Sequence, residues 1–265
     1  MQLVPAQARK PIRDLRKALQ ALHKDLPQKA VHELRTRTRK VEAIFAAIPL
    51  PPKHCPRKLL KALKPLRKAA GRVRDMDVLV AMVNSLLRGP NEASFNRLLT
   101  HLQQTRTDGA HHLADKVQRR RIKIQKHLKK FSKRVKKHCE SEPLDARQAY
   151  ALFDELSRWP RLTPDNLHDF RIKVKELRYM MQLVSGANAD FMTALDRAKL
   201  QIGSWHDWAE LHIIASELLD AESDQAAIRE IANEENRSLK SAMLAAQKLL
   251  SRYLSTHVLN EFAAP

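Results

Sequence analysis

Two short segments carry the side chains best suited to chemistry: His32, Arg35 and Arg39 in VHELRTRTRKVEAIF, and His168, Arg171, Lys175 and Arg178 in LHDFRIKVKELRYMM. Offsets of i, i+3, i+7 and i+10 return to nearly the same azimuth on an α-helix, so each set forms a line along one helix face. Four groups on such a line span about 15 Å at about 1.5 Å per residue. Guanidinium offers phosphate oxygens a fixed fork of donors, ammonium a mobile point charge and imidazole a directional hydrogen bond. A donor line of this length suits an extended polyanion, since a single phosphate would not need it.

Reactive constellations are missing from the sequence. It has no Walker-type or dinucleotide glycine loop, no nucleophile elbow and no His-Glu-x-x-His. His111-His112 and the other histidines lack the spacing of a metal cage. The expectation is a binding protein with no catalytic residue, metal or cofactor.

The two segments belong to a longer internal repeat. Residues 31–45 align without gaps on 167–181, so that His32 matches His168, Arg35 matches Arg171 and Arg39 matches Lys175. A second pair follows in the same order: LKPLRKAAGRVRDMDVLV at 63–80 lies against LDRAKLQIGSWHDWAELH at 195–212, with Gly71 over Gly203 and Asp75 over Asp207. Histidine and aspartate are 43 residues apart in the first copy and 39 in the second. The copies also depart from each other. Glu42 stands where the second copy has Arg178, and His206 where the first has Arg74, so unequal contributions are expected.

Helices must position these lines. Five glycines, thirteen prolines that mostly separate apolar-periodic runs, and abundant Ala, Leu, Lys, Arg and Gln favour helix over sheet. Apolar periodicity predicts eight helices, at about 6–26, 28–48, 56–87, 91–139, 146–159, 164–185, 188–220 and 222–261. The fold class is all-α: two four-helix bundles related by a pseudo-twofold duplication, with a basic cavity between or along them. Residues 6–260 form one domain with repeats at 6–140 and 146–260. Core stripes are expected at Val31, Leu34, Val41, Phe45 and Ile48, and at Leu167, Phe170, Val174, Leu177, Met181 and Val184. Leu59, Leu63 and Leu66 on the third helix and Leu113, Val117, Ile124, Leu128, Phe131 and Val135 on the fourth extend the first core, and Trp205 and Trp208 belong to the second. A mid-helix glycine costs about 1 kcal/mol relative to alanine, so Gly71 and Gly203 point to close helix packing, with Asp75 and Asp207 orienting nearby arginines.

The net charge of +20 implies an anionic partner. It is unevenly spread: residues 1–140 hold 35 Lys and Arg against 10 Asp and Glu, and residues 141–265 hold 14 against 19. Further basic stripes run along Arg9, Arg13, Arg16 and Lys17, along Arg57, Lys61, Lys64 and Lys68, and through 111–138, whose orientation periodicity leaves open. Two cysteines, Cys55 and Cys139, form no metal or disulfide pattern, and no signal peptide or membrane-spanning run is evident. A cytoplasmic protein without membrane insertion is expected.

With the repeated His-x-x-Arg-x-x-x-Arg/Lys helices and Gly-x-x-x-Asp segments, the chain resembles the CHAD domain, a histidine-containing α-helical family that binds inorganic polyphosphate. The resemblance runs from about residue 6 to 260. It implies two four-helix bundles around a basic channel for a linear chain of phosphates, in a binding module that is not an enzyme. Carried over by position, the ligand set would be His32, Arg35, Arg39 and Lys40 with His168, Arg171, Lys175 and Arg178, aided by Arg13, Lys64, Arg67 and Lys68. Association with polyphosphate granules is a further implication. Some relatives are fused to a triphosphate-tunnel domain, whose chemistry is not expected here.

Charge alone does not separate polyphosphate from RNA or DNA, because phosphate contacts supply affinity without sequence information. Single-stranded nucleic-acid readers stack bases on exposed aromatics. Only 5% of residues here are aromatic, and most lie on core stripes. That favours a ligand without bases and leaves nucleic acid as the alternative partner or competitor. A phosphatase or phosphotransferase using His32 or His168 would need a metal or acid/base pair. An anionic membrane surface fits less well, since the basic lines flank packed cores.

Overall fold

The computed structural model describes residues 5–22, 26–47, 57–87, 89–141, 147–183 and 188–254. Cys55, Ile48, Val184 and the outer ends of several expected helices lie outside them. The described residues form eight α-helices and no strand: α1 (Pro5–Ala21), α2 (Gln28–Ala47), α3 (Arg57–Leu86), α4 (Glu92–Ser141), α5 (Arg147–Ser157), α6 (Pro164–Met181), α7 (Ala189–Leu218) and α8 (Gln225–Tyr253). They gather into two compact units, one of Gln2–Val80 and His101–Ala146, the other of Ala81–Thr100 and Arg147–Pro265. The end of α3 and the start of α4 therefore group with the C-terminal helices.

In the N-terminal unit the expected core stripes are buried. Val31, Leu34, Val41, Leu59, Leu63, Leu66, Leu113, Ile124, Leu128 and Val135 have no exposed surface, and Phe45 stacks on Phe131 with ring centroids 4.0 Å apart. Thr38 is also fully buried on α2, because its Oγ1 donates to the Leu34 carbonyl at 2.8 Å and so brings no unpaired hydroxyl inside.

The helix α1 stops five residues before the expected end. Pro27 disfavours helical geometry at the residue before it, and Leu26 takes a positive φ of 35° that is costly for a side chain branched beyond Cβ. Complete burial of Leu26 and a hydrogen bond from Arg106 to its carbonyl at 3.0 Å hold that bend. Arg106 also binds the buried Asp77 through Nε.

In the C-terminal unit α5 packs on α6, α6 on α7 and α7 on α8. The core joins Leu167, Phe170, Val174, Leu177 and Met181 to Phe191, Leu195 and Ile202 on α7 and Ala242, Ala246 and Leu249 on α8. Trp205 packs against this cluster as a partly buried side chain, and Trp208 is half-buried. Pro164 starts α6, where the Thr163 N–H donates to Asn166 Oδ1 at 3.0 Å. Before α8 the Asp220 carboxylate accepts from the backbone N–H groups of Glu222 and Ser223, which turns the chain and delays the helix to Gln225. Asp224 is buried and accepts from Ser94 Oγ at 2.6 Å, from Arg97 and from the Asp220 N–H, tying the start of α4 to this corner.

Candidate functional site

Each unit presents its basic line in a groove between two consecutive helices. In the C-terminal unit His168, Arg171, Lys175 and Arg178 are all half-buried along α6, beside the core stripe. Gly203 of α7 lies directly under Arg171: a Cβ built on it would stand 2.7 Å from Nη2 and 3.3 Å from Cζ. The absence of a side chain thus makes room for a guanidinium, where the sequence pointed only to close packing. One turn further, His206 meets His168 with ring centroids 4.7 Å apart and planes 31° off parallel. Asp207 and Glu210 flank His206 Nδ1 at 3.8 and 4.0 Å.

The N-terminal unit repeats the arginine-over-glycine contact with a looser fit. Gly71 is buried on α3, and its hypothetical Cβ lies 3.5 Å from Arg35 Nε and 4.0 Å from Asp75 Oδ2. Arg35, Arg39 and Lys40 are half-buried and His32 is exposed.

Two of the expected ligands are held by acids. Arg67 donates through Nε to Glu42 Oε1 at 2.9 Å, with Arg39 Nη1 3.9 Å from the same carboxylate. Arg178 Nε lies 2.5 Å from Asp196 Oδ1, which also accepts from Lys199 at 2.9 Å. Glu42 and Arg178 occupy the same repeat position, as do Lys64 and Asp196, and Arg67 and Lys199. The acid thus stands on α2 in the first copy, where Glu42 meets Arg67, and on α7 in the second, where Asp196 meets Arg178 and Lys199. Burial pushes the Asp196 carboxyl up, but the hydrogen bonds from Arg178 and Lys199 outweigh it and hold the group below the ordinary carboxylate range.

Lys64 and Lys68 precede Gly71 on α3 by about two turns and one turn. Both are exposed and line a cavity on the α4 side of α3 with Arg72, His112 and Lys116. Arg13 projects from α1 with two-thirds of its side chain exposed, 3.9 Å from Asp14. Most basic residues of 111–138 are exposed, while Lys116, His127, Arg134 and His138 are half-buried. Among the described residues no group of three or more His, Cys, Asp or Glu could hold a metal, and no helix is long and apolar enough to cross a membrane.

Burial lowers the His168 pKa below its ordinary value, and the neighbouring His206 and the cations Arg171 and Lys175 lower it further, against a smaller upward pull from Asp169. Unfolding therefore releases an imidazole that takes up a proton at higher pH than the folded one does. As pH falls below about 6.5, the ordinary value, the unfolded state binds the extra proton first and stability declines. Above that range His168 has no effect. Chemical denaturation of His168→Gln against the parent between pH 7.5 and 5.5 is expected to flatten part of this acid limb. Parallel curves would mean that other groups set it.

A model of the CHAD domain matches residues 6–216. The crystal structure of the CHAD domain from the plant Ricinus communis superposes with a TM-score of 0.66 at 17% identity, covering 94% of this chain and 90% of that one. PptA from Streptomyces chartreusis gives 0.65 at 17% identity, covering 95% of this chain and all of the other. No curated protein sequence matches the chain. At this identity the structural likeness speaks for the fold.

Proposed function

Because this chain belongs to the CHAD domain family, we propose that it binds inorganic polyphosphate without catalysing its turnover, through the α2 and α6 lines. The observation that carries this is Arg171 seated over Gly203 beside the His168–His206 pair. Closing that seat with a methyl group would force the guanidinium aside, so the local structure is built around an arginine and not merely tolerant of one. Arg35 over Gly71 supplies the equivalent group in the other unit. His32, Arg39, Lys40 and Lys175 extend the two lines. Arg67 and Arg178 serve mainly to balance Glu42 and Asp196, and the exposed Arg13 adds long-range attraction.

A cytoplasmic role fits this ligand, and so does residence on polyphosphate granules. Bound phosphates would raise the depressed His168 pKa, so binding is expected to take up protons and to tighten as pH falls from 7.5 to 6. Calorimetry in buffers of different ionisation enthalpy measures the uptake, and a pH-independent affinity would remove His168 from the site.

The direct test is competition: labelled long-chain polyphosphate challenged with RNA, duplex DNA and monophosphate at physiological salt. Polyphosphate should survive nucleic acid at equal phosphate concentration, because the described basic lines lack the exposed aromatics on which bases stack. Displacement by RNA would make nucleic acid the ligand. Phosphate released on incubation with polyphosphate and a divalent metal would overturn the non-catalytic part.

A further inference from the structure

The link between α5 and α6 borders a cavity that shares no residue with the basic lines. Pro160 has no N–H to continue α5, and it disfavours helical geometry at Trp159. The last turn therefore closes with bonds of 3.2 Å from the Arg158 N–H to the Asp154 carbonyl and from the Trp159 N–H to the Leu156 carbonyl. From Trp159 to Thr163 the chain is irregular, until Pro164 starts α6. On α8, Gln247, Leu250, Ser251 and Leu254 recur at i, i+3, i+4 and i+7, one face of a helix, and this face lies beside the link. Link and helix together enclose about 450 Å³. Pockets for organic ligands run from roughly 300 to 1,000 Å³.

Apolar side chains form the inner wall. Leu162 and Leu254 are buried, and Trp159 and Leu250 pack half-buried against the same core. The indole ring stands edge-on to Phe170, with centroids 5.4 Å apart. Polar groups stand at the rim, where Arg161, Gln247 and Ser251 are exposed and their side chains bond to no other described residue. No acid lines the cavity, although acids outnumber bases 19 to 14 in residues 141–265. Arg158, three residues earlier, shows the contrast, since Asp154 holds it at 2.8 Å. Arg161 is thus a guanidinium at an apolar mouth with no carboxylate to meet it. The Trp159 Nε1–H is also buried without an acceptor, an uncommon and costly state for an indole.

We propose that this cavity binds a small monocarboxylate with an apolar body, a ligand class separate from the phosphate chains of the proposed function. The carboxylate pairs with Arg161, whose fork of donors matches its two oxygens, and Ser251 and Gln247 supply further donors at the rim. The apolar body lies against Leu162, Leu250, Leu254 and the indole ring. A phosphate chain fits badly here, because it would press several charges against leucines for the sake of one cation. A neutral apolar molecule would cover the wall but leave Arg161 without a counter-charge.

The test follows the indole N–H resonances of the three tryptophans in the isotope-labelled parent during titration with phenylbutyrate and with the neutral phenylbutanol. The signal missing from Trp159→Phe should shift saturably with the acid, and the alcohol should bind at least about tenfold more weakly. Arg161→Gln should cost the acid about tenfold and the alcohol less than about twofold. Ser251→Trp plugs the mouth from an exposed helix position and should abolish binding of both. Melting curves show whether each variant folds, and Arg161→Gln keeps the test decisive if the tryptophan variant does not. Saturating long-chain polyphosphate should leave the acid in place, since the two sites share no residue. Absence of a saturable shift at Trp159, equal affinity for acid and alcohol, unchanged binding in Arg161→Gln or in folded Ser251→Trp, or displacement by polyphosphate would each overturn the proposal. Failure of the parent to bind polyphosphate would sink the proposed function and leave this cavity untouched.

Discussion

Reversing Arg35 and Arg171 to Glu together is expected to weaken long-chain polyphosphate binding by two to four orders of magnitude. Reversing Arg229 and Arg237 should cost no more than a few-fold. Both doubles change the net charge equally, so the comparison separates placed donors from bulk attraction. A hydrogen bond to a charged group contributes about 1.5–3 kcal/mol. Two lost contacts therefore amount to about 3–6 kcal/mol, and each 1.4 kcal/mol is about tenfold in affinity. Arg35 and Arg171 are half-buried against glycines that leave their guanidinium groups in place. Arg229 and Arg237 are exposed on α8, where Arg237 pairs with Glu234 in an acidic stretch. Fluorescence anisotropy with labelled polyphosphate at several salt concentrations provides the measurement. Equal losses from the two doubles would mean that charge alone drives association, and that the grooves have no special role.

The helices were legible because burial follows the 3.6-residue period closely: every described residue of the two main stripes is buried except Phe45, which is half-buried and stacked on Phe131. Helix ends were less so, because side chains that bond to backbone donors and acceptors decide them. Asp220 captures two N–H groups ahead of α8, and the bend at Leu26 depends on Arg106, 80 residues away in sequence. Of the site, the lines themselves could be read from spacing. The seat under Arg171 could not, since a glycine in a helix gives no sign of which neighbour fills its space.

His206 was visible only as a departure from Arg74, yet it supplies the ring that meets His168. The exchange between Glu42 with Lys64 and Arg178 with Asp196 was in principle readable, because the two copies reverse sign at both positions at once. Aligning α2 with α6 and α3 with α7 separately hides such a pair. It emerges only when the two alignments are read together.

The two glycines give the most discriminating substitution, because alanine should act oppositely at them. At Gly203 a Cβ would fall 2.7 Å from Arg171 Nη2, well inside contact distance, and the obstacle is the far end of a flexible side chain. The guanidinium can swing away without disturbing the helices. Alanine also gains about 1 kcal/mol of helix propensity, so Gly203→Ala should fold with nearly unchanged stability. Its polyphosphate affinity should nevertheless fall about tenfold or more, the worth of a misplaced charge-assisted contact. At Gly71 the nearest atoms lie at 3.5 and 4.0 Å, ordinary contact distances. Gly71→Ala should therefore keep its affinity and gain most of the propensity term, raising the melting temperature by about 2–4 °C. Melting curves and binding isotherms on the two single variants decide the matter. If Gly203→Ala binds as the parent does, the seat holds Arg171 for packing and the groove must work through other donors. If Gly71→Ala loses affinity, the Arg35 contact is as tight as its counterpart, and the difference between the units disappears.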